Sequence, residues 1–178
     1  VMCRDTHIPR LRRFFLIAIL GTIIFRFQVV KETGWQGYST DSIAFTHYAA
    51  ELLIEGRNPY TQSMQPAYTR FNIPPSYITL RYDGTTEDRI TYPALNFLFV
   101  APFVKAGLTD IRYLFLIIYC AVLLSLYYYC RADYALLTVT AFCFFMHITS
   151  LLAKGNTDPL WLLLILFCVP YFHRPVLV

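Results

Sequence analysis

Two long uncharged apolar runs constrain this chain more than any other feature. Residues 134–153 are 20 in succession without Asp, Glu, Lys or Arg, and residues 113–130 are 18. An α-helix needs about 20 apolar residues to cross the hydrocarbon core of a bilayer. The runs are continuous, not alternating, which argues against a membrane β-barrel. Composition agrees with the helical reading. The chain is 57% hydrophobic, 17% aromatic and 15% charged, with a mean hydropathy of +0.47. A soluble domain carries about 25% charged residues. The fold class expected is therefore all-α, a polytopic α-helical membrane protein with about 5 apolar segments.

The placement of charge orders those segments. Residues 1–13 hold Arg4, Arg10, Arg12 and Arg13 against Asp5 alone, a basic lead that the positive-inside rule assigns to the cytoplasm. These arginines abut an apolar run and have no further basic face, so nucleic acid is not an expected partner. No small-residue cleavage pattern follows, so residues 14–30 read as a retained first span. Arg26 lies in its outer third. It is expected either to snorkel to the headgroups or to face an external cavity that binds an anion. Residues 31–91 form a polar, extracytoplasmic loop, and residues 92–178 a membrane helical region. Val1-Met2 makes Met2 a candidate start. The close at Pro175-Val-Leu-Val178 leaves two readings open, a whole chain and the N-terminal part of a longer one.

The loop is too long and too rich in aromatic residues to be a simple connector. Within it, residues 40–55 read as an amphipathic interfacial helix. Ser39 or Thr40 can cap it, and Asp41 occupies the first turn, where a negative charge suits the dipole. Phe45, Tyr48, Ala49 and Leu52 share one stripe, with His47, Glu51 and Glu55 on another face. Gly56 ends the helix and Asn58-Pro59 breaks it. Asp83-Gly84 marks a turn, expected to close a small hairpin after Tyr77. Pro93 suits a first helical turn, and Pro102 is expected to kink or end the next helix.

Several chemistries are unsupported. There is no GxGxxG, P-loop, HExxH or GxSxG motif. His7, His47, His147 and His173 show no paired metal-ligand spacing, and His147 reads as a hydrogen-bonded core residue. Cys3, Cys120, Cys130, Cys143 and Cys168 are scattered, without CxxC spacing, and read as buried small hydrophobes.

Three stretches resemble a known family. Asp41 is followed by Tyr48-Ala-Ala-Glu-Leu-Leu-Ile-Glu-Gly-Arg-Asn-Pro-Tyr60. Next comes Thr91-Tyr-Pro-Ala-Leu95, with Ala94 where the family has a second proline. Last is Gly155-Asn-Thr-Asp158, leading into Leu160-Trp-Leu-Leu-Leu-Ile-Leu166. Their order and spacing are similar to those of GT-C superfamily integral-membrane glycosyltransferases. The nearest group is glycosyltransferase family 87, the polyprenyl-phosphate-mannose-dependent mannosyltransferase-like enzymes.

The resemblance implies transfer of a hexose, mannose in that group, from a polyprenyl phosphate to an acceptor hydroxyl at the extracytoplasmic face, with inversion. Asp41 would be the general base. Arg57, Arg26 or Arg89 would supply cations for the leaving phosphate. His47, Tyr60, Tyr92, Asn156 and Asp158 complete the expected donor site, and Asp158 is also the position at which a divalent metal is conceivable. With each apolar run crossing in turn, Asp158 falls on the cytoplasmic side, opposite Asp41, unless one segment fails to cross. Membrane lipids and a larger membrane complex are the other expected partners. The rival reading is a non-catalytic, truncated relative serving as a subunit of such a complex. A transporter would show paired broken helices in repeated halves, and no internal repeat is present.

Overall fold

A computed structural model describes residues 8–32, 37–129 and 157–172. Among the described residues six α-helices follow in order: α1 (Ile8–Glu32), α2 (Asp41–Ile54), α3 (Gln65–Arg70), α4 (Ala94–Lys105), α5 (Arg112–Tyr129) and α6 (Asp158–Phe172). Two 3-10 turns, Pro59–Thr61 and Pro75–Tyr77, punctuate the stretch between α2 and α4. Trp35, His7, His147, His173, Asn156, Cys3, Cys130, Cys143 and the 134–153 run lie outside the described residues.

The polytopic membrane architecture expected from the apolar runs is overturned. Among the described residues, no helix is long and apolar enough to cross a membrane. Two of the helices are short of a span. The 12 residues of α4 reach about 18 Å and the 15 of α6 about 22 Å, against a hydrocarbon core of about 30 Å. Helix α1 has 25 residues, but its uncharged stretch between Arg13 and Arg26 is only 12. Arg26 does not snorkel. It is 1% exposed, and its guanidinium sits 4.6 Å from the ring centroid of Tyr119, a cation–π contact between α1 and α5.

The interfacial helix is likewise corrected. Helix α2 buries Asp41, Ile43, Ala44, Phe45, Thr46, His47, Ala49, Ala50 and Leu52, which covers nearly its whole circumference. A helix covered on all sides is a core helix. Its small residues Ala44, Ala49 and Ala50 are fully buried and permit close approach of the elements around it. Helix α4 packs on it through Phe97, Val100 and Ala101, and the base of α5 adds Ile111, Leu114 and Phe115. Phe71 and Ile73 follow α3 into the same core. A second core joins α1 (Ile19, Val30), α5 (Leu116, Tyr119, Val122, Leu123) and the partly buried Leu162 and Leu166 of α6.

Local signals set the ends. Gly56, at φ +77°, closes α2 as a Schellman turn: its N–H donates to Leu53 O and that of Arg57 to Leu52 O. Asn58 Oδ1 then accepts the Tyr60 N–H and starts the first 3-10 turn. The expected hairpin is reduced to a single bridge, Leu80 to Thr86, around Gly84. Pro102 neither ends nor breaks α4: it lies in the last turn, and the helix continues past it to Lys105. Asp110 caps the start of α5 and grips Arg112 from both carboxylate oxygens, at 2.7–3.0 Å, with both side chains buried.

Candidate functional site

Asp41 is the first residue of α2, behind Thr40 in an extended conformation. The unpaired N–H groups and positive dipole end of a first turn stabilise a carboxylate there. Asp41 is 8% exposed. Its Oδ2 accepts the Thr79 N–H at 3.2 Å, which ties the hairpin-like segment to the start of the core helix. Oδ1 has no hydrogen bond among the described residues. One carboxylate oxygen is thus held in place by the backbone.

Two distant segments meet this helix start. Ser42 Oγ lies 3.5 Å from Thr157 Oγ1, and Thr157 is buried directly ahead of α6. Tyr92, just before α4, adjoins the Ser42 side chain. Its hydroxyl is pushed up by burial and by the carboxylates of Asp41 and Asp158. Tyr68 is pushed up to about 12, by burial first and Asp41 next, and donates to Glu87 O at 2.6 Å. Asp158 is the exposed first residue of α6. The expected conflict over its side therefore does not arise, because the first turns of α2 and α6 adjoin.

The other expected site residues are spread elsewhere. Arg57 follows the opposite end of α2, exposed, with its guanidinium on Glu55 (3.3 Å) and Gln62 (2.6 Å). Arg26 is interior to the α1–α5 contact. Arg89 donates from Nη1 to Thr61 O at 3.4 Å. Tyr60 donates to Tyr92 O at 2.9 Å and sets its ring edge-on to Phe97, so it supports Tyr92 from outside. Among the described residues, no arginine pairs with Asp41.

His47 belongs to a different group on α2, about 9 Å along the axis from Asp41. The Tyr38 hydroxyl accepts the Ile111 N–H at 3.1 Å and lies 2.8 Å from His47 Nδ1. Burial, then the Arg70 charge, lowers His47 to about 4, so the ring is neutral at pH 7. A neutral ring that accepts the Tyr38 proton at Nδ1 carries its own on Nε2, which faces Glu51 Oε1 across 3.9 Å. Phe71 stacks on the imidazole at 4.7 Å. Gly37 makes this packing possible: at φ +106° its Cβ position would lie 2.1 Å from Phe71 O, the acceptor of the Tyr38 N–H.

Sequence reasoning missed Ser42, Thr157, Thr79, Tyr68 and Asn96. Ser42 and Thr157 each adjoin a motif acid and were legible as neighbours. Thr79 acts through its backbone, which carries no sequence signal. Asn96, in the first turn of α4, is 1% exposed, and neither of its amide atoms has a hydrogen-bond partner among the described residues. Asp41 and Asp158 supply two carboxylates, and no group of three His, Cys, Asp or Glu suited to a metal exists among the described residues. The described residues therefore do not make up a metal site here.

No family model matches the chain, and no curated protein or solved structure matches it either.

Proposed function

We propose that the chain transfers a hexose from a polyprenyl-phosphate donor to an acceptor hydroxyl, with inversion and with Asp41 as general base. One observation carries this reading. The three stretches that resemble the glycosyltransferase motifs are separated by 50 and 66 residues at Ser42, Tyr92 and Asp158, yet they meet around Ser42. Asp41 Oδ1 takes the proton of the acceptor hydroxyl as that oxygen bonds to the anomeric carbon. The bond from this carbon to the phosphate oxygen breaks, and polyprenyl phosphate leaves on the opposite face. Ser42, Tyr92 and Thr157 offer hydroxyls to sugar or phosphate oxygens. Ile17, Leu20, Ile24, Phe25 and Phe27 of α1 are exposed, an apolar face suited to the lipid surface that holds such a donor.

The rival reading, a non-catalytic relative within a larger complex, is favoured by the arginines. None of Arg26, Arg57 and Arg89 reaches Asp41, and a departing phosphate needs cations. The discriminating assay follows donor-dependent release of polyprenyl phosphate by the purified chain. Loss of a general base lowers the rate by about 10²–10⁴. Asp41→Asn is expected to show that loss with its fold intact. Full transfer by this variant sinks the Asp41 assignment, and no release by the unaltered chain favours the subunit reading.

A further inference from the structure

Beside the Tyr38–His47 pair, a cavity of about 290 Å³ opens between α2, α3 and the turn after α4. Val104 and Leu108 form an apolar wall, and His47, Glu51 and Arg70 supply the polar one. That volume is close to the lower end of small-molecule clefts, about 300 Å³, and about ten times the share of one water.

The polar groups define what fits. Glu51 Oε1 accepts from Arg70 Nη2 at 2.6 Å. Glu51 Oε2 is buried and has no hydrogen-bond partner among the described residues. With Tyr38 donating to Nδ1, His47 holds its proton on Nε2, and the 3.9 Å to Glu51 is too long for a direct bond. The wall thus offers one vacant acceptor and one available donor. An anion would be repelled by the carboxylate. A cation would be repelled by Arg70, already in place on Glu51, and would meet a second donor at His47. A neutral hydroxyl both donates and accepts, and it satisfies the two vacancies together. A compound with several hydroxyls and apolar C–H faces also suits the Val104–Leu108 wall.

We propose that this cavity binds a small neutral polyhydroxy compound, a sugar or polyol, with a hydroxyl between Glu51 Oε2 and His47 Nε2. The site is separate from the Asp41 group and does not depend on the glycosyl-transfer reading.

The test titrates the purified full chain with glycerol, inositol and methyl mannoside, and with acetate and methylammonium as charged controls. The readout is the ¹⁵N and ring-proton resonances of His47. A saturable shift with at least one polyol and none with either ion is expected. Glu51→Gln should weaken that binding at least tenfold. Thr109→Trp, which fills the exposed rim and leaves His47, Glu51 and Arg70 unaltered, should abolish it. Three results overturn the proposal: no saturable shift with any polyol, a response to acetate or methylammonium instead, or polyol binding that persists undiminished in Thr109→Trp.

Discussion

Acid should destabilise this fold through His47, by an amount the structure sets. The ring is buried beneath Phe71, its Nδ1 is occupied by the Tyr38 hydroxyl, and its folded pKa falls from 6.5 to about 4. The fold therefore favours the neutral ring. Between those two values the unfolded chain binds a proton that the folded chain does not. Stability is fully present above pH 6.5 and is lost as pH falls toward about 4. A shift of this size is worth roughly 3 kcal/mol at about 1.4 kcal/mol per unit. Glu51, 3.9 Å away, works in the opposite direction, because burial raises its carboxyl and lower pH relieves it. Urea unfolding at pH 7, 6, 5 and 4 should be compared between the unaltered chain and His47→Asn, which keeps an acceptor for Tyr38 but does not titrate. The variant should be less stable at pH 7, since the smaller side chain leaves space beside Phe71. The gap between the two proteins should narrow by roughly 3 kcal/mol by pH 4. A constant gap across that range refutes the reasoning, whatever the absolute stabilities.

Other perturbations follow from single contacts. Gly37→Ala must place a Cβ against Phe71 O at positive φ, and should cost about 2 kcal/mol or more, read as a drop in the thermal midpoint. Asp110→Asn removes the carboxylate that grips the buried Arg112 and should cost about 3–5 kcal/mol in urea unfolding, far more than Glu55→Gln at the exposed Arg57 pair. Leu52→Ala, at the centre of the α2 core, should cost about 2–5 kcal/mol by the same measurement. A Leu52 variant of undiminished stability would contradict the placement of α2 in the interior.

Local chemistry made much of the chain legible. The start of α2 at Asp41 and its end at Gly56 follow from capping and backbone conformation, which act within one turn. The start of α5 beside Asp110 and that of α6 at Asp158-Pro159 are of the same kind. What apolar runs do not reveal is what covers them. The same Leu-, Ile- and Phe-rich stretch serves a lipid-facing span or a protein core, and only its neighbours distinguish the two. Helix α2 shows this best: its apparent polar stripe of His47 and Glu51 faces Tyr38, Arg70 and the end of α4, groups far away in sequence.

The sequence by itself determined that the chain is helical, where most of its described helices begin and end, and that Asp41 and Asp158 open helices. Those properties depend on residues within a few positions of one another. Only the tertiary structure decided that Asp41, Tyr92 and Thr157 gather around Ser42 and that Arg26 turns inward onto Tyr119. The physical reason is that each placement rests on packing between helices distant in the chain. The burial of α2 against α4 and α5 orients these side chains, and no local spacing encodes it.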